Sequence, residues 1–248
     1  MISKLFKKIP VLICFIIILC LGYICIQIIP PLLYQDNNSS NKLINNSSSN
    51  NCPQYIKDFV EKNPQAIELE TNYTATVTND PINLSVPKGI PLYLQWDSRW
   101  AFNQYGEEII GTAGCGPTCL SMVSVGLTGD TTYNPRYVAN YAQDHGYLDG
   151  SKTTWNFMQS GCQAFGIKAT PVALDETAMK SQLEQGHPII CSVRPGDFTD
   201  TGHFIVITKC KNDKFIINDP NSRENSQRSW SYERLSWQIK AMWAYSLI

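Results

Sequence analysis

The stretch GTAGCGPTCLSMV, Gly111–Val123, sets two glycines, a cysteine and a proline directly ahead of an apolar run. Gly116-Pro117 reads as a helix start, because proline in the first turn lacks only an N–H that has no partner there. A thiol at such a place faces exposed backbone N–H groups and the positive end of the helix dipole. Both favour its thiolate. Cys119, one turn on, shares a side with Leu120, Val123 and Leu127 and reads as core. Glycines on both sides of Cys115 leave the backbone open to close approach by a substrate. Cys115 is then either a small buried residue at a helix start or a nucleophile. A nucleophile needs a base within reach and a group that orients the base.

The base should be a histidine, and the chain has three. His145 follows a helical stretch in a polar loop, and His187 sits in a turn before a strand. His203, in DTGHFIVI, opens a strand directly after a glycine, which keeps that edge accessible, and it is the expected base. The orienting acid should lie near it in space. HFIVITKCKNDKFIINDP (203–220) reads as a hairpin whose strands begin and end at one edge, with His203 on one strand and Asp219 on the other. Asp197 and Asp200 are nearer in sequence, but they lie in a loop that holds a side chain less rigidly.

Side chains alternate across a strand, so the hairpin register decides whether Asp219 can reach His203. A two-residue turn at Asn212-Asp213 pairs Lys211 with Lys214 and sets Asp219 opposite Val206, on the face away from His203. A three-residue loop from Lys211 to Asp213 sets Asp219 opposite Ile205, one diagonal step from His203 and on its face. The expectation is this odd register, or a bulge equivalent to it. An Asp219 carboxylate oxygen should then lie within hydrogen-bond reach of a His203 ring nitrogen.

Three elements in order, GCGPTCLSMV (114–123), TGHFIVI (201–207) and NDPNSR (218–223), resemble the double-glycine (bacteriocin-leader) peptidases and their stand-alone relatives, the family-thirty-nine-like cysteine peptidases of the papain-like clan. The catalytic positions would be 88 and 16 residues apart. The resemblance covers residues 87–248. It implies a cysteine peptidase in which Cys115 attacks the carbonyl, His203 serves as base and then acid, and Asp219 orients the imidazole. It also implies an upstream glutamine that donates to the oxyanion. Gln95 in IPLYLQWDSRW matches that element, and Gln104 is the nearer alternative in sequence. The best-known members of the family cut leader peptides inside the cell and are fused to an ABC transporter. This chain carries no GxxxxGK[ST] P-loop, so the resemblance leaves its substrate open.

The first 51 residues bear on location. Lys4, Lys7 and Lys8 precede VLICFIIILCLGYICIQII (Val11–Ile29), which has no charge. With its flanks this stretch is long enough to cross a bilayer as a helix, and it exceeds a signal-peptide core without a small-x-small cleavage site after it. The lysine bias puts the N-terminus in the cytoplasm and everything beyond residue 30 outside. Residues 35–51 are almost all Asn and Ser and read as a flexible tether. The expected organisation is a basic tail (1–9), a transmembrane anchor (10–30), a linker (31–51), an N-terminal extension (52–86) and a peptidase domain (87–248).

Three of the 20 basic residues precede the span, which leaves 17 against 21 acidic residues, a charge of about −4. No nucleic-acid partner is expected; the membrane, through the N-terminal helix, and a peptide or protein substrate are. Three of the nine cysteines lie in the span. The other six include no C-x-x-C pair and no zinc-like spacing, so no metal or cofactor is expected, and most should be buried thiols.

Amphipathic spacing marks a short helix within 52–66 that ends near Asn63-Pro64, helices from Gly116, from Asn134-Pro135 and from Asp175 to Gly186, and a core stripe of Trp155, Met158, Cys162 and Phe165. YTATVT (73–78) and INLSV (82–86) read as short strands. HPIICSV, HFIVITKC, KFIIND and WAYSLI read as a later sheet. Helices first and an antiparallel sheet later is an α+β pattern, here expected to be a papain-like fold preceded by one transmembrane helix. The leading functional expectation is a membrane-anchored, outward-facing cysteine peptidase. The alternatives are an amidase or endopeptidase of cell-wall peptides, and a binding module that kept the fold without turnover.

Overall fold

The computed structural model describes residues 52–73, 77 and 80–248. The expected basic tail, membrane span and linker lie outside the described residues, as does most of the expected strand at 73–78. Among the described residues no helix is long and apolar enough to cross a membrane.

The chain opens with α1 (Gln54–Lys62) and α2 (Glu68–Thr71). Residues 80–103 form no strand, so the one expected at 82–86 is irregular backbone. Next come a short hairpin, β1 (Gln104–Tyr105) with β2 (Glu108–Ile109), and the helices α3 (Ile110–Ala113), α4 (Cys115–Thr128) and α5 (Pro135–Asp144). A second small hairpin, β3 (Leu148–Asp149) with β4 (Lys152–Thr153), precedes α6 (Trp155–Gln159). Then follow β5 (Ile167–Pro171), α7 (Glu176–Glu184), β6 (Ile189–Val193), β7 (His203–Lys211) and β8 (Lys214–Asn218). The chain ends with α8 (Arg223–Gln227), β9 (Ser229–Trp230), α9 (Tyr232–Ser236) and β10 (Ile239–Leu247). The α+β expectation holds.

The expected helix starts are capped as their residue types suggest. Asn134 accepts from Tyr137 N at 3.1 Å with Pro135 in the first turn, and Asp175 accepts from Ala178 N at 2.8 Å. Trp155 is a correction. The stripe survives the change from α6, which stops at Gln159, to a 3₁₀ turn over Gly161–Phe165, but its first residue does not join it: Trp155 opens α6 and stands edge-on to Trp243, ring centroids 5.9 Å apart. Met158, Cys162 and Phe165 are buried, while Trp155 is 44% exposed and donates to Ser192 Oγ.

The main sheet has six antiparallel strands in the order β5-β10-β6-β7-β8-β9. β10, last in sequence, lies inside the sheet. β5 is an edge strand with only Ile167 fully buried, so it lacked the alternation that marks a strand. α4 covers one face, where Cys119, Leu120 and Val123 meet Ile190, Phe204, Val206, Trp243 and Tyr245. α7 covers the other, where Met179 and Leu183 meet Ile189, Cys191, Ile205, Ile207, Phe215 and Ile217. Because both faces are covered, β6 is buried throughout. Each such aliphatic or aromatic side chain contributes roughly 2 kcal/mol by leaving water. A third cluster joins Ile56, Val60 and Leu69 of α1 and α2 to Leu94, Trp96, Ala101 and Ile109.

The β7–β8 hairpin takes the bulged form of the expected register. Its turn has two residues, not three: Asn212 and Asp213 are left-handed, with φ of 50° and 57°, and Lys211 pairs with Lys214. Both residue types tolerate that region, and the primed turn it makes suits strand twist. Between Ile207 and Lys209 the register shifts, because Thr208 is an extra residue in β7. Val206 therefore pairs with Asn218, which carries Asp219 to the level of Ile205.

Candidate active site

Cys115 is the first residue of α4, and Pro117 lies in the first turn, where its missing N–H costs nothing. The short helix α3 runs directly into this start: Gly114 N donates to Ile110 O, and Thr118 N donates to Gly114 O. The thiol is half-buried at the rim of the core beneath α4. Gly116 is not open backbone for a substrate, as its position suggested. A Cβ there would stand 2.4 Å from Thr153 Oγ1, so glycine is required for β4 to pack against the helix start. Thr153 is itself held by Tyr105 Oη at 2.8 Å. Cys119 is fully buried, and burial pushes its thiol well above its ordinary range, as expected of a core residue.

His203 opens β7 where the sheet ends, and Asp219 follows the last residue of β8. The structure brings them together, with His203 Nε2 2.8 Å from Asp219 Oδ1. His203 is 7% exposed and Asp219 is fully buried. The Asp219 carboxylate also accepts from Asn221 N at 2.8 Å on Oδ1 and from Asn225 Nδ2 at 2.9 Å on Oδ2. Ser226 Oγ holds the Asp219 backbone N–H at 2.9 Å.

Three effects act on the imidazole. Burial is the largest and lowers its pKa. Asp219, through its charge and its hydrogen bond, opposes burial, and so does the neighbouring Cys115 side chain. Together they lift His203 from its ordinary 6.5 to about 10. A neutral imidazole donating Nε2–H to the carboxylate leaves Nδ1 bare, and Nδ1 is the nitrogen left for the thiol. The arrangement can take the thiol proton and hold the resulting imidazolium beside the thiolate.

Gln95 is almost fully buried. Its backbone N–H donates to Pro220 O at 2.8 Å, directly beyond Asp219, and the Trp96 indole donates to Asn221 O at 3.2 Å. Its side-chain Nε2 donates to Gly111 O at 3.0 Å and Thr112 O at 3.1 Å, one helical turn ahead of Cys115. Its Oε1 is buried without a hydrogen-bond partner. Gln104 is exposed and bonded to Gly106 O and Gln143.

The other candidates are engaged elsewhere. His145 is exposed, stacked on Tyr141 with ring centroids 3.8 Å apart. His187 meets Gln182 Oε1 at 3.0 Å. Asp197 pairs with Arg234 and Gln238, and Asp200 is exposed. All six cysteines among the described residues are free thiols, and no His/Cys/Asp/Glu group among those residues could hold a metal ion. Sequence reasoning missed Asn221, Asn225 and Ser226 as the groups that hold Asp219. One signal was present: Ser222 stands where a helix cap would stand, and it accepts from Asn225 N at 3.1 Å.

No curated protein matches the chain. Among solved structures, it is similar to the peptidase domain of Streptococcus ComA, a bifunctional ABC transporter involved in quorum sensing. That pair is 22% identical over 55% of this chain and 91% of the other, with a TM-score of 0.41. It is also similar to a C39-like peptidase from Bacillus anthracis, at 14% identity over 64% of this chain and 96% of the other, with a TM-score of 0.37. A family model covers residues 87–246, well over half of the chain and the whole span from Gln95 to Asp219. The chain belongs to the Peptidase_C39 like family.

Proposed function

We propose that this protein is a cysteine peptidase in which Cys115 is the nucleophile, His203 the base and acid, and Asp219 the group that orients the imidazole. The observation that carries the reading is the His203 ring, held by Asp219 at 2.8 Å, with the Cys115 side chain at the start of α4 near enough to act on its titration. His203 takes the thiol proton, and the sulfur attacks the substrate carbonyl. The tetrahedral intermediate collapses as the imidazolium protonates the leaving amine. Water, deprotonated by His203, then attacks the thioester, and the acid leaves as the sulfur regains its proton.

Gln95 is the proposed oxyanion donor. One N–H must leave Gly111 O or Thr112 O for the substrate oxygen, at a cost of about one hydrogen bond. A donor aimed at the developing charge contributes about 3 kcal/mol, which exceeds that cost.

The same reading makes the protein membrane-anchored, with the peptidase outside. It is supported by the three lysines ahead of an uncharged apolar stretch at Val11–Ile29. Digesting a peptide library and purified cell wall side by side tests the activity. Cleavage of peptides that requires Cys115 supports the peptidase. Release of wall peptides alone would make it a cell-wall endopeptidase, and no turnover of either would leave a binding module.

A further inference from the structure

The family match begins at residue 87, yet the segment before it is fastened to the candidate site. Leu69 of α2 fills the space that a side chain at Gly111 would need, and Gly111 O is one of the two anchors of Gln95. Asn63, at the end of α1, donates from Nδ2 to Asn221 O at 2.9 Å and to Asn221 Oδ1 at 2.7 Å. The N–H of that same Asn221 donates to Asp219 Oδ1, the oxygen that meets His203. Gln65 donates from Nε2 to Ser222 Oγ at 3.3 Å and accepts from Arg223 N at 3.0 Å. Ser222 caps α8, which carries Asn225, and Asn225 holds Asp219 Oδ2. Both carboxylate oxygens are therefore held by residues of 221–225 that are themselves held in part from outside the family match.

We propose that Asn63 and Gln65 are positioning residues for the His203–Asp219 pair, and that the segment at 52–73 is a working part of the peptidase rather than a spacer. The proposal rests on the reading of Cys115, His203 and Asp219 given above. Its logic is electrostatic. Burial lowers the His203 pKa, and Asp219 reverses that only while its carboxylate stays on Nε2. Residues 219–222 form a turn between a strand and a helix, and a turn keeps one geometry only if its backbone groups are tied. Gln95 N–H ties Pro220 O and the Trp96 indole ties Asn221 O, and Asn63 adds a tie to that same Asn221 oxygen and to its side chain.

The test uses the full-length protein. The rate of Cys115 alkylation by iodoacetamide is followed from acid to alkaline pH by mass spectrometry of the Cys115 peptide, alongside peptide turnover and thermal melting. Asn63→Ala should slow alkylation at neutral pH about fivefold, the factor one hydrogen bond commands. The limb governed by His203 should move to lower pH, and KM should stay unchanged while kcat falls. Asn63→Gln, which keeps the amide donor, should recover most of the loss, and Gln65→Ala should shift the limb the same way by less. An Asn63→Ala protein that melts lower but keeps the wild-type pH profile overturns the proposal, because Asn63 would then only hold the fold. If His203→Ala leaves the Cys115 profile unchanged, the reading of the site itself fails, and the proposal falls with it.

Discussion

Asparagine at position 219 keeps the volume of a fully buried side chain and removes its charge. Three hydrogen bonds end on the native carboxylate: His203 Nε2 and Asn221 N on one oxygen, and Asn225 Nδ2 on the other. An amide offers one acceptor oxygen. If that oxygen faces His203, the new NH₂ meets the Asn225 amide, which can turn over and present its own oxygen. All three contacts can then survive, but without charge assistance. Charge-assisted bonds are worth about 1.5–3 kcal/mol and neutral ones about 1 kcal/mol, and the neutral side chain no longer bears the cost of burying a charge, which offsets part of the loss over three bonds, so stability should fall by roughly 1–3 kcal/mol at neutral pH.

The chemical loss is larger. Burial lowers the imidazole below 6.5, and Asp219 is the main group that lifts it to about 10. Without the charge, His203 is neutral at neutral pH, the thiolate loses its counter-ion, and the ring can turn to the wrong tautomer. In a serine triad the equivalent change costs about 10⁴ in kcat, and a loss of between about 10² and 10⁴ is expected here. The pH dependence of stability has a definite sign. The folded His203 pKa lies above its ordinary value, so its contribution is complete below 6.5 and is lost as pH rises through about 10. Asp219→Asn should flatten that alkaline loss in urea unfolding while it lowers turnover. A variant that turns over within about twofold of wild type and loses stability at the same alkaline pH would refute the reasoning.

Other perturbations separate the parts of the account. Cys115→Ala should abolish turnover with little change in melting temperature, and Cys119→Ser should keep turnover while losing roughly 1–2 kcal/mol of stability, because a hydroxyl is poorly housed in that core. Loss of activity in Cys119→Ser alone would reassign the nucleophile. Gly116→Ala drives a Cβ into Thr153 and should lower turnover at least about tenfold, with partial recovery in Gly116→Ala/Thr153→Gly. Protease added to intact protoplasts should remove the peptidase domain. Full protection, or recovery of a soluble secreted form, would contradict outward anchoring.

Much of this arrangement was legible because its signals are local. Proline in a first turn, asparagine and aspartate at helix caps, and the β-branched and aromatic runs of β6 and β7 each reflect forces acting within a few residues. The pairing of His203 with Asp219 was legible as a constraint: only certain registers bring the two together. How the chain met the constraint was not legible. Asn212 and Asp213 both accept a left-handed backbone, which made a two-residue turn affordable, and the parity error was absorbed by a bulge at Thr208. Nothing in VITKCK announces that bulge, because the extra residue is set by cross-strand packing. β5 was hidden for a similar reason: a half-exposed edge strand carries little hydrophobic pattern. Trp155 misled because it is the first residue of α6, where no preceding helical turn covers it, and its indole N–H goes to Ser192 Oγ. The ties from Asn63 and Gln65 to Asn221–Arg223 span 158 residues or nearly so, and only the fold reveals them.

The central claim is that one thiol of the six described is activated, and that His203 activates it. The most direct measurement is labelling of the full-length protein at neutral pH with a peptidyl chloromethyl ketone, the adduct located by mass spectrometry, in wild type and in His203→Ala. The account predicts one equivalent of label on Cys115 in the wild type and loss of nearly all of it in the variant. Label on Cys119 or Cys210 in preference to Cys115, or undiminished labelling of Cys115 without His203, would contradict it.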